Sequence, residues 1–253
     1  MEFHAFGNPS DPVIVLIHGM LTPWQIWEEA IQHYSKRYCV VVPELDAHTE
    51  ETVSEFQSIA DEAKKLAAYL KQSFGGSTRM ICGLSMGGRI AAEAVKDPEL
   101  HTEVLVLDGA PLIKLPGVAK TIMKHSYQNI IHKSRNRDSK VLESCKKDFL
   151  PEKYLEAFLQ IADHMDDTSI ANIIDSVFSD FEFVPYEKEM RILFLHGTKG
   201  NEAVSKKAAL HLKESNPQTV IRCFEGYAHA QLACYEPQKW INETEQFLIN
   251  KNA

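Results

Sequence analysis

The sequence predicts an α/β protein: a doubly wound, mostly parallel sheet carrying a helical cap inserted late in the chain. Three observations predict it. Short apolar runs rich in β-branched residues (13–17, 104–107, 192–195) lack polar alternation, as strands buried on both faces do. The stretches between such runs carry apolar residues at helical spacing, and strands alternating with helices imply parallel pairing. One stretch of about 80 residues, between Leu107 and Ile192, shows helical periodicity with little strand signal.

In chain order, Val13-Ile14-Val15-Leu16-Ile17 is the first clear strand, ended by His18-Gly19. Trp24, Trp27, Ile31 and Tyr34 then recur at helical spacing after Pro23, a residue suited to a helix start. Residues 38–42 read as the next strand, stopped by Pro43. From Val53 onward, Phe56, Ile59, Ala63, Leu66 and Leu70 mark a second amphipathic helix, closed near Gly75-Gly76. Residues 79–82 read as a short strand, 86–96 as a helix before Asp97-Pro98, and 104–107 as another strand.

After the helical stretch come a strand at 192–195, a helix at about 203–212, a strand at 220–224 and a helix at 237–249. Within the stretch itself, Ile122-Met123 with Ile130-Ile131, then Tyr154 to Ile161, then Ile170, Ile173, Ile174 and Val177 suggest three or four helices. The expected organisation is a core of residues 1–110 and 186–253 with a cap over 111–185. Such an insertion after a sheet strand sits over the carboxyl edge, where α/β proteins bind ligands; the alternative is extra core-packing helix.

Bulk properties narrow the function. A chain of 253 residues suits one large domain, or one domain with an insertion. The net charge of −8, with no long run of Lys or Arg, argues against a nucleic-acid partner and suits a neutral small molecule. Five widely spaced cysteines with no CxxC pair suggest free buried thiols in a reducing compartment. The first residues lack the basic and apolar regions of a secretory leader, and no apolar run reaches the roughly 18 residues of a membrane span. A cytoplasmic protein without membrane insertion is expected. With no Walker loop, dinucleotide glycine pattern or metal-ligand cluster, no cofactor and no metal are expected. Nothing in the sequence bears on oligomeric state.

The strongest chemical signal is Gly83-Leu84-Ser85-Met86-Gly87, a G-x-S-x-G pentapeptide between a strand and a helix. A serine on so sharp a turn projects its hydroxyl from the sheet edge. The residues two positions either side crowd against backbone, hence glycine at both. The helix N-terminus behind Ser85 presents N–H groups to a developing oxyanion. His18-Gly19-Met20 follows the first strand, so the N–H groups of Met20 and Met86 are the expected oxyanion donors, with His18 holding the loop. Only His229 lies beyond the last strand, where a loop could bring its imidazole to Ser85 as general base.

His18-Gly19, Gly83 to Gly87, Leu195-His196-Gly197 and the segment Gly226 to His229 resemble the α/β-hydrolase superfamily across nearly the whole chain, with small capped esterases as the nearest look-alikes. The resemblance implies an eight-stranded, mostly parallel sheet, reduced here at its start, and a serine nucleophile. The Trp-containing segment after His18-Gly19 is also similar to the menaquinone-pathway synthases that share this fold.

The third member of a triad is where the sequence departs from the family. An aspartate is usual soon after Gly197, but Gly197-Thr198-Lys199-Gly200 leads to Asn201 and Glu202. Four readings stay open: Asp108, directly after the strand at 104–107; Glu202; Asn201, a poor orienter of imidazole; and no acid at all. Asp46 and His48 read as loop structure. Residues 133–140 form a short basic patch, read as a solvated turn with acidic-substrate contact as the alternative. Trp24, Phe149, Phe158 and Phe178 are candidates for an acyl pocket. The expected function is hydrolysis of a small to medium carboxylic ester through an acyl-enzyme. The rivals are carbon–carbon hydrolase or lyase chemistry on the same site, and a ligand-binding protein with little turnover.

Overall fold

The computed structural model describes residues 1–148 and 150–250. Strands β1 (Glu2–Phe6) and β2 (Val13–Ile17) lead through a 3₁₀ turn (Trp24–Trp27) into α1 (Glu28–Tyr34) and β3 (Cys39–Glu44). Then follow α2 (Ile59–Phe74), β4 (Ser77–Thr78), β5 (Met80–Leu84), α3 (Met86–Ala94), β6 (His101–Thr102) and β7 (Val104–Asp108). Helices α4 (Gly117–Arg135), α5 (Ser139–Asp148), α6 (Leu155–His164) and α7 (Asp167–Val177) occupy the stretch before β8 (Arg191–His196). The chain ends with α8 (Glu202–Ser215), β9 (Thr219–Cys223), α9 (Gln231–Tyr235) and α10 (Pro237–Ile249).

Among the described residues the main sheet has seven strands in the order β1-β3-β2-β5-β7-β8-β9, all parallel except β1. Every residue of β2, β5 and β7 is buried, which is why their sequences show no polar alternation. The strand order reverses around β2, with β3 on one side and β5 on the other. The crevice at such a switch point opens at the carboxyl ends of the flanking strands. His18-Gly19 and Ser85 stand there.

Three local outcomes differ from the sequence expectation. The sheet is reduced to seven strands as expected, but the sequence reading did not find its edge strand: β1 pairs antiparallel with β3, from Glu2 opposite Glu44 to Phe6 opposite Val40. An edge strand with interleaved polar residues has no continuous apolar signature; Phe3 anchors it by stacking on Tyr69 at 3.7 Å. Second, β3 runs through Pro43. Its parallel partner β2 reaches only as far as Val41, so Pro43 needs no N–H for a second neighbour. Third, α2 begins at Ile59 rather than near Val53, because Ser58 is extended and its Oγ accepts the Asp61 N–H at 3.1 Å. Phe56 is nevertheless buried: its N–H donates to Ser169 Oγ and its carbonyl accepts from Asn172, both on α7.

Arg89, on α3, ties the inserted helices to the core. Its guanidinium donates to Pro111 O at 3.3 Å, where the chain leaves the core, and to Ser179 O and Asp180 O at 3.3 and 2.9 Å, where it returns. Phe181 packs under the same group at 4.7 Å. Burial lowers the Arg89 pKa to about 10, so it stays charged at neutral pH. Arg89→Met strands three carbonyls. We expect it to cost about 2–4 kcal/mol, a fall in Tm of roughly 5–15 °C in thermal unfolding; a shift below about 2 °C would remove this role.

The basic patch is spent on local structure. Arg135 donates to Ala162 O and Met165 O at the end of α6, and Arg137 pairs with Asp163. The five cysteines are free, and Cys223 is exposed rather than buried. No helix of the described residues is long and apolar enough to cross a membrane. Asp46, Asp61 and Glu62 gather around the Lys65 ammonium, which ion-pairs with all three.

Candidate active site

The turn between β5 and α3 holds Ser85 at φ +52° and ψ −115°, a conformation that costs a non-glycine residue about 1–3 kcal/mol. Packing enforces it. The Ser85 N–H donates to Asp108 O at 2.7 Å, which pins the turn to the end of β7. A Cβ on Gly83 would lie 2.2 Å from the Gly87 carbonyl, and one on Gly87 would lie 2.4 Å from His18 O. Backbone thus passes so close on both sides that only glycine fits at either position.

The loop after β2 is locked by two buried histidines. His18 Nδ1–H donates to Gly19 O at 2.9 Å, and its Nε2 accepts the Leu45 N–H at 3.2 Å. His48 Nδ1–H donates to Asp46 O, and its Nε2 accepts the Leu21 N–H, both at 3.0 Å. Each ring therefore needs one bare nitrogen. Burial enforces that state, pushing the His18 pKa down to about 3 and that of His48 to about 4. Gly19 O also accepts from Thr22 Oγ1 at 2.9 Å. With that carbonyl held toward His18 and Thr22, the trans Gly19–Met20 peptide turns the Met20 N–H the other way.

His229 lies on the loop between β9 and α9, fastened to the loop after β8. Thr198 N–H and Lys199 N–H both donate to Tyr227 O at 2.9 Å, and Gly226 N–H donates to Thr198 Oγ1 at 2.8 Å. The approach is so close that a Cβ on Gly197 would sit 2.1 Å from Tyr227 O. This contact brings His229 beside Glu202, the first residue of α8.

His229 joins two side chains that lie 144 and 27 residues before it in the sequence. Its Nε2 is 2.8 Å from Ser85 Oγ, and its Nδ1 is 2.5 Å from Glu202 Oε1. Glu202 Oε2 accepts the Gly197 N–H at 2.7 Å, and Oε1 also accepts from Ser205 Oγ at 3.3 Å. Burial works to raise the Glu202 pKa. The bonds from His229, Gly197 and Ser205 outweigh it and hold the carboxyl below the ordinary glutamate value, so the group is an anion.

Of the three acid candidates, only Glu202 meets His229. Asp108 is corrected: its Oδ2 accepts the Trp240 indole N–H at 3.1 Å instead. Burial, reinforced by the nearby Glu202 charge, raises its pKa to about 7. Asn201 is exposed at the start of α8 and caps it with no side-chain bond.

Ser85 and His229 open into a cavity of about 320 Å³, also lined by Met20 and Met86. The inserted helices supply Tyr127, Ile173, Val177 and Phe178 to its wall. Of the expected acyl-pocket aromatics, Phe178 is there. Trp24 instead stacks on His4 at 4.3 Å, Phe158 is buried among the inserted helices, and Phe149 lies outside the described residues. The sequence reading missed Tyr127 and Met123, because a mixed α4 face gives no sign of which residues will meet the sheet edge. It also missed Arg89, whose role exists only once residues 111 and 180 are brought together.

Comparison with known proteins agrees with this architecture. A model of the alpha/beta hydrolase fold family matches residues 12–144. Among curated proteins, an AB hydrolase superfamily protein of Gibberella zeae is 30% identical over 94 residues, covering 36% of this chain and 32% of its own. A Haemophilus influenzae protein described as a 2-succinyl-6-hydroxy-2,4-cyclohexadiene-1-carboxylate synthase is 28% identical over 102 residues, covering 39% and 41%. The match thus spans only a third to two fifths of these relatives. Whole-chain likeness comes from solved structures. An alpha/beta hydrolase family protein from Desulfitobacterium hafniense superposes with a TM-score of 0.79 at 22% identity, over 98% of this chain and 100% of that one. A thermophilic esterase from Thermogutta terrifontis gives 0.73 at 15%, over 100% and 94%. With the family model matching more than half of its length, the chain belongs to the alpha/beta hydrolase fold family.

Proposed function

We propose that the protein is a serine hydrolase that cleaves small carboxylic esters through an acyl-enzyme. The observation that carries this reading is the unbroken chain from Ser85 Oγ through both nitrogens of His229 to the Glu202 carboxylate, at 2.8 and 2.5 Å. Ser85 Oγ attacks the substrate carbonyl carbon as His229 Nε2 takes its proton. Glu202 holds the other nitrogen protonated and offsets the imidazolium charge. The oxyanion lies between the Met20 and Met86 N–H groups, each donor worth about 3–4 kcal/mol when removed in such sites.

The alcohol departs with the proton from His229. Water then gives a proton to His229 and its oxygen to the acyl carbon, releasing the acid and restoring Ser85. The helices α4 to α7 act as a cap that bounds the acyl site. Esterases among the structural neighbours support the reading.

Similarity to the carboxylate synthase favours a second reading, carbon–carbon bond chemistry at the same serine. Against it, that relative is named for a carboxylate, and no lysine or arginine lines this cavity among the described residues. Incubation with a small neutral fluorophosphonate is expected to add one phosphonyl group to the peptide containing Ser85 within minutes, read by mass spectrometry. An unlabelled Ser85, with no ester turned over, would defeat the proposal.

A further inference from the structure

The cavity wall is strongly biased in chemistry. Among the described residues it contains no Asp, Glu, Lys or Arg. Its polar side chains are mostly committed: Thr22 Oγ1 donates to Gly19 O, Ser205 Oγ to Glu202, and Ser85 and His229 bond each other. Asn201 stands exposed to solvent at the margin. Tyr127, from α4, is different. It lines the cavity with Met123, Ile173, Ile174, Val177 and Phe178, and its hydroxyl, half-buried rather than sealed, makes no protein hydrogen bond among the described residues. Burial raises the Tyr127 pKa, so the phenol stays protonated and able to donate.

The hydroxyl faces the shared cavity without a protein partner, so it is free to donate to whatever fills that space. An uncharged ligand that brings an acceptor to the hydroxyl gains a hydrogen bond inside an otherwise apolar wall. An anionic ligand would lose its hydration with no cation to meet it. At 320 Å³ the space corresponds to about ten waters at ~30 Å³ each, the size of a compact ester.

We propose that the substrate is an uncharged ester of about this size whose acyl portion carries a second acceptor, such as a keto or ether oxygen, that receives the Tyr127 hydroxyl. This rests on the serine-hydrolase reading for the placement of the ester. Recognition of the remote acceptor is a property of the cavity itself.

Binding to the Ser85→Ala protein tests recognition without turnover, using ethyl hexanoate, ethyl 5-oxohexanoate and monoethyl adipate as matched probes in calorimetry. The oxo-ester is expected to bind about 10-fold more tightly than ethyl hexanoate, and the half-ester anion at least about 10-fold more weakly, as paired and unpaired buried polar groups dictate. Adding Tyr127→Phe should bring the first ratio to about 1 and leave ethyl hexanoate within about 3-fold. The inference is overturned if that ratio survives Tyr127→Phe, or if wild-type or Ser85→Ala protein binds the half-ester as tightly as the neutral esters. Either result can occur with Ser85 still labelled by fluorophosphonate, in which case the hydrolase reading stands and only the substrate class falls. Absent labelling with the binding ratios intact would have the opposite meaning.

Discussion

Glu202→Gln is expected to lower kcat on a short-chain ester by about 10³–10⁴-fold, by analogy with loss of the orienting carboxylate in serine proteases. Hydrogen-bond accounting explains why an isosteric amide cannot substitute. One Glu202 oxygen accepts from the Gly197 N–H at 2.7 Å and the other from His229 Nδ1 at 2.5 Å. The glutamine amide offers only one oxygen. Placed toward Gly197, it turns its NH2 on His229, forces Nδ1 to be the bare nitrogen and leaves a proton on Nε2 facing Ser85. Placed toward His229, it sets NH2 against the Gly197 N–H. Either way the neutral amide no longer offsets the imidazolium.

Asp108→Asn is the matched control, expected to stay within about 5-fold of wild type because an amide oxygen can keep the Trp240 bond. The stability of the wild type should respond to pH through the Asp108 carboxyl. The folded-state pKa of Asp108 is raised, so its contribution to stability is fully present below the unfolded value near 4 and is lost as pH rises through about 7. The asparagine lacks this dependence. The Tm difference, variant minus wild type, should therefore grow between about pH 5 and pH 8. Steady-state kinetics of both variants decide the matter: if Asp108→Asn loses activity as Glu202→Gln does, the assignment of the acid fails.

Gly87→Ala is expected to prevent accumulation of folded protein or to lower stability by more than about 4 kcal/mol. The added methyl would sit 2.4 and 2.5 Å from the carbonyl oxygens of His18 and Ile17. Neither can retreat. Ile17 ends a fully buried strand paired on both sides, and the His18 ring is held by Gly19 O and the Leu45 N–H. The cost falls on the contact between α3 and β2 and so reaches the whole sheet, not only the serine. Far-ultraviolet circular dichroism and thermal unfolding should show it; a soluble variant with near-native Tm would mean that the elbow yields more readily than its geometry implies.

Much of this site was legible before any coordinates. Residues 13–17 and 104–107 announced buried strands because a strand covered on both faces has no place for polar residues. Ser85 was legible because its strained turn imposes glycine at 83 and 87, a local requirement written within five residues. His229 was legible from chain order alone. Strand β1 was not, since an edge strand tolerates polar residues, and the start of α2 was misjudged because Phe56 is buried without being helical.

The sequence by itself determined the class of sheet, the strained serine turn and the histidine that meets it, because each rests on local sterics or on order along the chain. Only the tertiary structure decided between Asp108 and Glu202. Asp108 ends β7 and Glu202 follows β8, parallel strands that are neighbours in the sheet, and both are buried carboxylates. What separates them is where long-range contacts deliver partners. α10 brings the Trp240 indole to Asp108, while the clasp between residues 197–199 and 226–227 brings His229 to Glu202. Hydrogen-bond partners that lie 132 residues away for Asp108 and 27 for Glu202 leave no mark in local sequence, and what each acid contacts follows from them.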